Sequence, residues 1–314
     1  MLPFGPGIGD FLLTSASSAQ DEVLLVAPFI KENAFREILR RVDSRVKITC
    51  VTRWRVPEIL IGVSDLDIWK ALCERGGCLL IKNDLHAKYY RFDDIALIGS
   101  ANISNAALGW SNTPNLEILC PPNDQDSLRQ QFENELLRTS VPATKELYDS
   151  LKELVEQTDA LEIPFLPQSG ELETSAGSQN LDETIWVPTL RQPAELYTFY
   201  AGLQDQVSAG LAESAQNDLK AFDLPRGLNQ AAFEMEIGLQ LLAKSIIQKI
   251  DAFLSQPRRF GEVRRYLQRV CPGSLELDDA SRLWQVLMRW MLQFLPFRYR
   301  LKVPSHSEII YRVE

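Results

Sequence analysis

The residues best suited to chemistry lie in one short stretch, LHAKYYRFDDIALIGSAN, at positions 85–102. Residues two apart in an extended strand share a face, so the spacing places His86 and Lys88 side by side. Ser100 and Asn102 repeat the two-residue spacing. A neutral imidazole is a usable nucleophile, and ammonium, hydroxyl and amide groups around it suit a tetrahedral oxyanion. The stretch therefore predicts nucleophilic displacement at phosphorus, with no metal and no cofactor.

Alternating strands and helices must position this stretch. Short β-rich apolar runs and segments of helical periodicity alternate from EVLLVAPFI at 22–30 to IALIGSA at 95–101. This alternation predicts βαβ units and an α/β fold with a mostly parallel or mixed sheet. NLEILC at 115–120 predicts one further strand, and a helix is predicted over about 125–137.

The second half of the chain has a different character. A segment rich in Pro, Gly, Ser and acidic residues at 161–184 predicts a linker between a domain of residues 1–160 and one of residues 185–314. NQAAFEMEIGLQLLAKSIIQKIDAFL predicts one long amphipathic helix that begins at Asn229 as its N-cap. Two more helices follow, and FRYRLKV and EIIYRV predict a terminal β-hairpin. Three helices followed by a hairpin resemble a winged-helix arrangement, which makes the second domain a candidate for recognition or partner docking.

Charge is unevenly distributed. The chain has 33 basic and 42 acidic residues, a net charge of −9, which argues against a protein coated in nucleic acid. Residues 250–314 nevertheless carry 11 basic and 7 acidic side chains. Arg264 and Arg265 are adjacent on a predicted helix, and such guanidinium groups can lie along a phosphate backbone. A solvated helix face is the alternative interpretation.

Several classes of protein are disfavoured. The five cysteines form no CxxC pair, which indicates free thiols in a reducing compartment rather than a disulfide framework. The first residues lack the features of a secretion signal, and no window reaches the apolar length that spans a bilayer. These observations predict a cytoplasmic protein without a membrane partner.

The stretch at 85–102 resembles the H-x-K-x4-D signature, followed by G-S-x-N, of the phospholipase D superfamily. The matching residues are His86, Lys88, Asp93, Gly99, Ser100 and Asn102. Asp94 is an alternative match for the acid, because the spacing to Gly99 is about one residue short of the usual pattern. The resemblance covers about residues 20–140, includes Glu117 in NLEI, and is to members with a single motif and nuclease activity.

This resemblance implies a phospholipase D-like mixed sheet flanked by helices and a metal-independent, two-step mechanism. His86 would attack phosphorus to give a phosphohistidine, and a second histidine would protonate the leaving oxygen. The remaining implied roles are oxyanion binding by Lys88, Ser100 and Asn102, orientation of the imidazole by Glu117, and formation of the local turn by Asp93. Gly99 is expected to let the ligand approach the backbone.

The mechanism needs two histidines, and the motif supplies one. A C2 homodimer in which two copies of His86 meet is the simplest solution. The alternative is His306, acting within the same chain from a polar turn. Arg53 and Arg55, at the end of a predicted strand, are further candidates to contact phosphate, because strand ends commonly line α/β sites. A solvated edge is the alternative for this pair.

Two classes of function follow. The first is a homodimeric nuclease acting on nucleic acid, with DNA the expected substrate; by analogy with single-motif members, it would serve antiphage defence or restriction beside a helicase or another subunit. The second is a non-catalytic or partner-activated DNA-binding scaffold in such a complex. A phospholipase is disfavoured because the chain shows no basic amphipathic anchor.

Overall fold

The computed structural model describes residues 7–122, 126–158, 186–203, 209–271, 276–304 and 308–313. The chain divides into two compact units, Met1–Val155 and Glu156–Glu314. The predicted linker at 161–184 lies outside the described residues. The first unit has an α/β fold with a sheet flanked by helices, as the sequence predicts, and the second is mainly helical with a small sheet.

Seven strands form the sheet of the first unit. They are β1 (Glu22–Val26), β2 (Lys47–Thr52), β3 (Cys78–Ile81), β4 (Tyr89–Phe92), β5 (Ile95–Gly99), β6 (Leu119–Cys120) and β7 (Val141–Pro142), in the order β6-β5-β4-β1-β2-β3-β7. β1, β2 and β3 are parallel, and β4, β5, β6 and β7 are each antiparallel to their neighbours. The sheet is therefore mixed.

Among the described residues of the first unit, six helices accompany this sheet. They are α1 (Ile8–Ser18), α2 (Glu32–Arg41), α3 (Val56–Leu60), α4 (Ile68–Glu74), α5 (Asp126–Thr139) and α6 (Lys145–Gln157). α1 was not predicted, although Ile8, Leu12 and Ala16, all fully buried, recur at the four-residue spacing of one helix face. The sheet packs on one side through a cluster that includes Leu24, Val26, Val51, Tyr89 and Leu136, the last of which lies on α5.

The described residues of the second unit form six α-helices and three strands. They are α7 (Leu196–Tyr200), α8 (Ala209–Leu219), α9 (Gln230–Leu241), α10 (Ser245–Phe253), α11 (Phe260–Val270) and α12 (Leu277–Phe294), with β8 (Arg258–Arg259), β9 (Tyr299–Lys302) and β10 (Ile309–Arg312). The predicted hairpin is confirmed, because β9 and β10 pair antiparallel, and β8 pairs with the other edge of β10. The order α10-β8-α11-α12-β9-β10 is that of a winged-helix arrangement.

The prediction of one long helix from Asn229 is wrong. Asn229 is the N-cap, and its Oδ1 accepts a hydrogen bond from the Ala232 N–H at 2.9 Å. The helix ends at Leu241, however, and a second helix begins after Lys244, which has extended backbone. The buried side chains of α9 surround the helix instead of forming one stripe. The chain therefore forms two shorter helices, joined by a turn at residues 242–244.

A buried ion-pair cluster stabilises the small sheet of the second unit. The carboxylate of Asp251, on α10, accepts two hydrogen bonds from Arg298, at 2.8 and 2.7 Å, and one from the Tyr299 hydroxyl at 2.5 Å. Arg312 on β10 is the third partner of Asp251, with its Nη1 3.3 Å from the carboxylate. Partnership with these cations and the hydroxyl lowers the pKa of Asp251 against the opposing effect of burial.

In the described part of the chain, none of the helices has the length and apolar character that crossing a membrane requires.

Candidate active site

The topology of the sheet brings the predicted catalytic residues to one edge. The carboxyl ends of the parallel strands β1 and β2 lie at this edge. β4 is antiparallel to β1, so its first residue and the preceding segment, with His86 and Lys88, lie there too. β5 runs back antiparallel to β4 and ends at the same edge with Gly99, and the Gly99 N–H donates to the Lys88 carbonyl at 3.3 Å.

His86 and Lys88 form the centre of the site. They lie in the segment immediately before β4, and the Lys88 Nζ donates to the His86 carbonyl at 3.1 Å. The charge of Lys88 lowers the pKa of His86, and partial burial and the charge of Arg53 lower it further. Burial and Arg53 also lower the pKa of Lys88, whereas Glu117 opposes this effect. These effects favour the neutral, nucleophilic form of the imidazole beside a cation.

Arg53 is largely buried beside this centre. It follows β2, forms an ion pair with Glu58 of α3, and donates through its Nη1 to the carbonyl of Leu85 at 3.1 Å. Its guanidinium group also lies 5.1 Å from the centre of the Phe29 ring. These contacts hold the segment that carries His86 against the end of β2. The predicted contact of Arg53 and Arg55 with phosphate stays a prediction.

Asn102 is held with its amide available to a ligand. Its Oδ1 accepts from the Phe29 N–H at 3.4 Å, and Nδ2 has no acceptor in the described part of the chain. The two Nδ2 hydrogens are thus donors that an oxyanion can use. The buried hydroxyl of Tyr90 donates to the Ala101 carbonyl at 2.6 Å and fixes the loop between Ser100 and Asn102.

Ser100 and Glu117 contact each other. The Ser100 hydroxyl donates to Glu117 Oε2 and accepts from the Ile118 N–H at 3.1 Å, while Asn115 Nδ2 donates to Glu117 Oε1 at 3.2 Å. Within the residues that the structure describes, Glu117 makes no hydrogen bond to His86. The implied role of Glu117 in orienting the imidazole stays a prediction, and the structure assigns its carboxylate to Ser100 and Asn115.

The structure gives a reason for glycine at position 99 that differs from the one that the sequence predicts. A Cβ at this position would lie 1.9 Å from the Ile118 carbonyl oxygen and 2.9 Å from the Leu119 side chain. The close approach that requires glycine is therefore between β5 and the chain that enters β6. This approach sets the pairing of Ser100 with Glu117, and a contact between Gly99 and substrate stays a prediction.

Asp93 lies far from the site, in the turn between β4 and β5. Asp93 is five positions along an extended chain from Lys88, a distance of about 16 Å. Its carboxylate accepts from the N–H groups of Gln20, Asp21 and Glu22 at 2.7 to 3.0 Å, and these bonds lower its pKa. Asp93 also has a φ of 50°, a left-handed conformation that aspartate tolerates. Asp93, rather than Asp94, makes these contacts.

We expect Asp93→Ala to lower the free energy of unfolding by about 1–2 kcal/mol, because three N–H groups lose a charged acceptor. Asp93→Asn is the matched control, since asparagine keeps one acceptor oxygen and tolerates the same φ. The folded-state pKa of Asp93 is lowered, so its stabilising contribution is complete above the ordinary carboxyl pKa and is lost as the pH falls through the lowered value. Urea unfolding at pH 7 and pH 3 measures this, and an equal deficit of the Ala variant at both pH values would contradict it.

The predicted contact of Arg264 and Arg265 with nucleic acid stays a prediction. Both lie on α11 in the second unit, where Arg265 is exposed and Arg264 is partly buried. His306, the alternative second histidine, lies outside the described residues. The structure therefore brings together His86, Lys88, Ser100, Asn102 and Glu117.

Three further residues support the site and were not predicted. Phe29 presents its N–H to Asn102 and its ring to Arg53, Glu58 pairs with Arg53, and Asn115 binds Glu117. Phe29 lies three residues beyond the end of β1, and this position is a usable signal because strand ends commonly line such sites. Nothing in the sequence marks Glu58, which depends on the turn into α3.

The effect of Arg53 on His86 is directly measurable. In the double variant Arg53→Gln/Glu58→Gln we expect the pKa of His86 to rise, because a neighbouring cation is removed without leaving a buried carboxylate unpaired. The chain has only two histidines, so NMR titration of their ring protons resolves both. Lys88→Met should raise the pKa more, since Lys88 is the larger cause of the shift. An unchanged His86 pKa in both variants would contradict this electrostatic account.

The site is thus a histidine, a lysine and an asparagine at the edge of a mixed sheet, an arrangement suited to displacement at a phosphodiester. Residues 12–140 match the family model described as "Cardiolipin synthase, PLD-like domain". The chain therefore contains a phospholipase D-like domain over residues 12–140.

Three solved structures are similar to parts of this chain. NucT from Helicobacter pylori shares 20% identity over 46% of this chain and 98% of its own, with a TM-score of 0.32. TrmBL2, an archaeal chromatin protein whose structure shows a novel mode of DNA binding, shares 17% over 45% of this chain and 52% of its own, with a TM-score of 0.32. Phosphatidylserine synthase from Haemophilus influenzae Rd KW20 shares 14% identity over 49% of this chain and 41% of its own, with a TM-score of 0.39. Among curated proteins, no sequence matches this chain.

Proposed function

We propose that this chain is a cytoplasmic phosphodiesterase that cleaves nucleic acid through a phosphohistidine, without a metal ion, at a site completed by a second copy of the chain. The observation that carries the proposal is the convergence of His86, Lys88 and Asn102 at one edge of the sheet. The lowered pKa of His86 supports the nucleophilic role. DNA is the expected substrate.

The reaction has two balanced steps. A ring nitrogen of His86 attacks phosphorus, the bond from phosphorus to the leaving oxygen breaks, and the imidazolium of the second copy donates a proton to that oxygen. Water then gives a proton to the same imidazole of the second copy, its oxygen bonds to phosphorus, and the bond between phosphorus and His86 breaks. Lys88 and the Asn102 amide bind the non-bridging oxygens as charge develops on them.

An exposed apolar patch beside the site supports the dimer. Leu116 is 89% exposed and Ile118 is 51% exposed, and they flank Glu117 directly in the sequence. Ile98, immediately before Gly99, is 41% exposed. Exposed apolar side chains that cluster in this way mark interaction surfaces. A C2 partner seated on this patch would place its own His86 near the first, because both lie at the same edge of the sheet.

Antiphage defence or restriction, beside a helicase or another subunit, is the cellular role that we propose by analogy with single-motif superfamily members. The same analogy covers a partner-activated form of the enzyme. In the resting site the Glu117 carboxylate binds Ser100 and Asn115, and a partner that releases it would free an acid next to Lys88.

The test is cleavage of single-stranded and double-stranded DNA in EDTA by wild type and by His86→Ala. The proposal expects cleavage by the wild type and none by the variant, while the variant still binds DNA. Equal cleavage by both proteins would contradict it. If neither protein cleaves but both bind, a partner-activated enzyme or a scaffold is favoured.

A further inference from the structure

The small sheet of the second unit has two chemically different faces. Side chains alternate between the faces of a strand, and Ile310 of β10 is buried, so its cross-strand partners Arg258 and Leu301 share the inward face. The outward face consists of the alternate positions. Two cross-strand rows make it up: Arg259, Ile309 and Lys302 in one, and Arg300 and Tyr311 in the other.

The outward face carries cations without acids. Arg259, Arg300 and Lys302 are all exposed, and no ion pair joins their charged groups to a carboxylate in the described part of the chain; Glu262 binds only the backbone N–H of Arg259, at 2.8 Å. Lys302 Nζ lies 4.7 Å from the centre of the Tyr311 ring. On the inward face, by contrast, Asp251 neutralises Arg298 and Arg312. The outward cations therefore remain available to a partner.

The spacing of these cations suits a polyanion with regular charges. Arg300 and Lys302 are two residues apart on β9, about 7 Å, and Arg259 lies two strands away from Lys302, about 10 Å. A strand of DNA carries one phosphate per about 3.4 Å of helix rise. Three cations at these separations can contact several phosphates of one backbone at the same time.

The usual reading element of a helix–turn–helix is poorly suited to DNA here. The second helix of such a motif commonly presents its N-terminal residues to the major groove. In this unit that helix is α12, and Glu276, Asp278 and Asp279 are exposed at its start. Carboxylates at this position would be repelled by phosphate. Charge complementarity therefore favours the sheet face over the helix.

We propose that the outward face formed by Arg259, Arg300 and Lys302 is a nucleic-acid-binding surface that holds the phosphate backbone independently of sequence. The inference rests on the proposed function and adds a second surface, separate from the catalytic residues. The sequence-based prediction placed the backbone contacts on a cluster of Arg258, Arg259, Arg264, Arg265 and Arg269, and the proposed face shares only Arg259 with it. Residues 250–314 carry a net charge of +4 in a chain of net charge −9, in accord with a local site for a polyanion.

The experiment measures binding of a fluorescent 30-base-pair DNA by anisotropy at several NaCl concentrations, with full-length protein carrying His86→Ala so that cleavage does not interfere. Adding Arg259→Ala/Arg300→Ala/Lys302→Ala should weaken binding about 10–100-fold at 0.1 M salt and reduce the salt slope by about 3. The matched control is Arg191→Ala/Arg282→Ala/Arg289→Ala, which removes three exposed cations from the same unit and should change the affinity less than about twofold.

Other outcomes overturn the inference. Equal effects of the two triple variants would contradict it, as would a loss confined to Arg264→Ala/Arg265→Ala. If the test triple binds DNA more tightly than its parent, the face is occupied by an acidic segment of this chain and the inference is wrong. Hydrolysis of bis(4-nitrophenyl) phosphate by the wild type tests the catalytic proposal independently. This small diester has no polymer backbone for the sheet face to bind.

Discussion

A dimer that combines one wild-type chain with one His86→Ala chain is expected to be inactive. In the proposed mechanism one imidazole attacks phosphorus and the other protonates the leaving oxygen, so each dimer needs both copies of His86. Random assembly of equal amounts of the two chains should therefore leave about one quarter of the wild-type activity, because only that fraction of dimers has two intact histidines. The His86→Ala homodimer itself should lose about 10⁴-fold or more.

Co-expression with two different affinity tags lets the mixed dimer be purified by successive selection for both tags. A wild-type dimer that carries the same two tags is the control. Mixed dimers with half of the control activity would mean that each chain completes its own site, which is the outcome that the His306 alternative requires. His306→Ala separates the accounts further, because the dimer mechanism predicts full activity for this variant.

The core of the site could be predicted because it depends on local spacing. His86 and Lys88, like Ser100 and Asn102, are two residues apart, and short segments of extended chain place such pairs without help from distant residues. Beyond this local spacing, the prediction of the site required only a mixed sheet in which the ends of these strands lie at one edge. The site residues that follow from local pattern are also those that the family signature contains.

The contacts between distant segments could not be predicted in this way. The hydrogen bond between Phe29 and Asn102 joins residues 73 positions apart, and it exists because β1 and β5 end at the same edge. The resemblance implies that Glu117 orients the imidazole, and this role stays a prediction. What the sequence does not indicate is that Gly99 brings the backbone of Ile118 so close that the Glu117 carboxylate contacts Ser100. A single sequence does not specify how closely two strands approach, and this distance decides the partner of Glu117.

The same limit explains the helix that was predicted too long. From Asn229 onward the apolar residues are frequent enough to satisfy a helical period over the whole segment. The sequence pattern does not reveal that the first part is buried on all sides, since that depends on its neighbours in the unit. One such neighbour is Phe294, whose carbonyl oxygen would lie 2.1 Å from a Cβ at position 238. Glycine at that position permits the close packing of α9 against the end of α12.

Removing the apolar patch beside the site should separate the dimer and abolish cleavage together. Leu116→Ser/Ile118→Thr removes apolar surface without adding charge near Lys88. Each substitution occurs twice in a C2 dimer, so a loss of about 2–3 kcal/mol per chain becomes about 4–6 kcal/mol. That raises the dissociation constant about 10³–10⁴-fold. At concentrations where the wild type is dimeric, we expect a 35.6 kDa monomer with at least about 100-fold lower activity.

Concentration dependence makes this prediction decisive. Light scattering gives the mass, and the activity per chain of the variant should rise as the protein concentration approaches its new dissociation constant. Ile95→Thr/Leu277→Ser is the matched control, since both side chains are about half exposed but lie at the far end of β5 and in the second unit. A monomer with full activity would show that one chain completes the site, and an unchanged dimer would place the interface elsewhere. The described site of one chain lacks the second histidine that the mechanism requires, so catalysis depends on the dimer. Dimer formation and activity should therefore be lost at the same protein concentration.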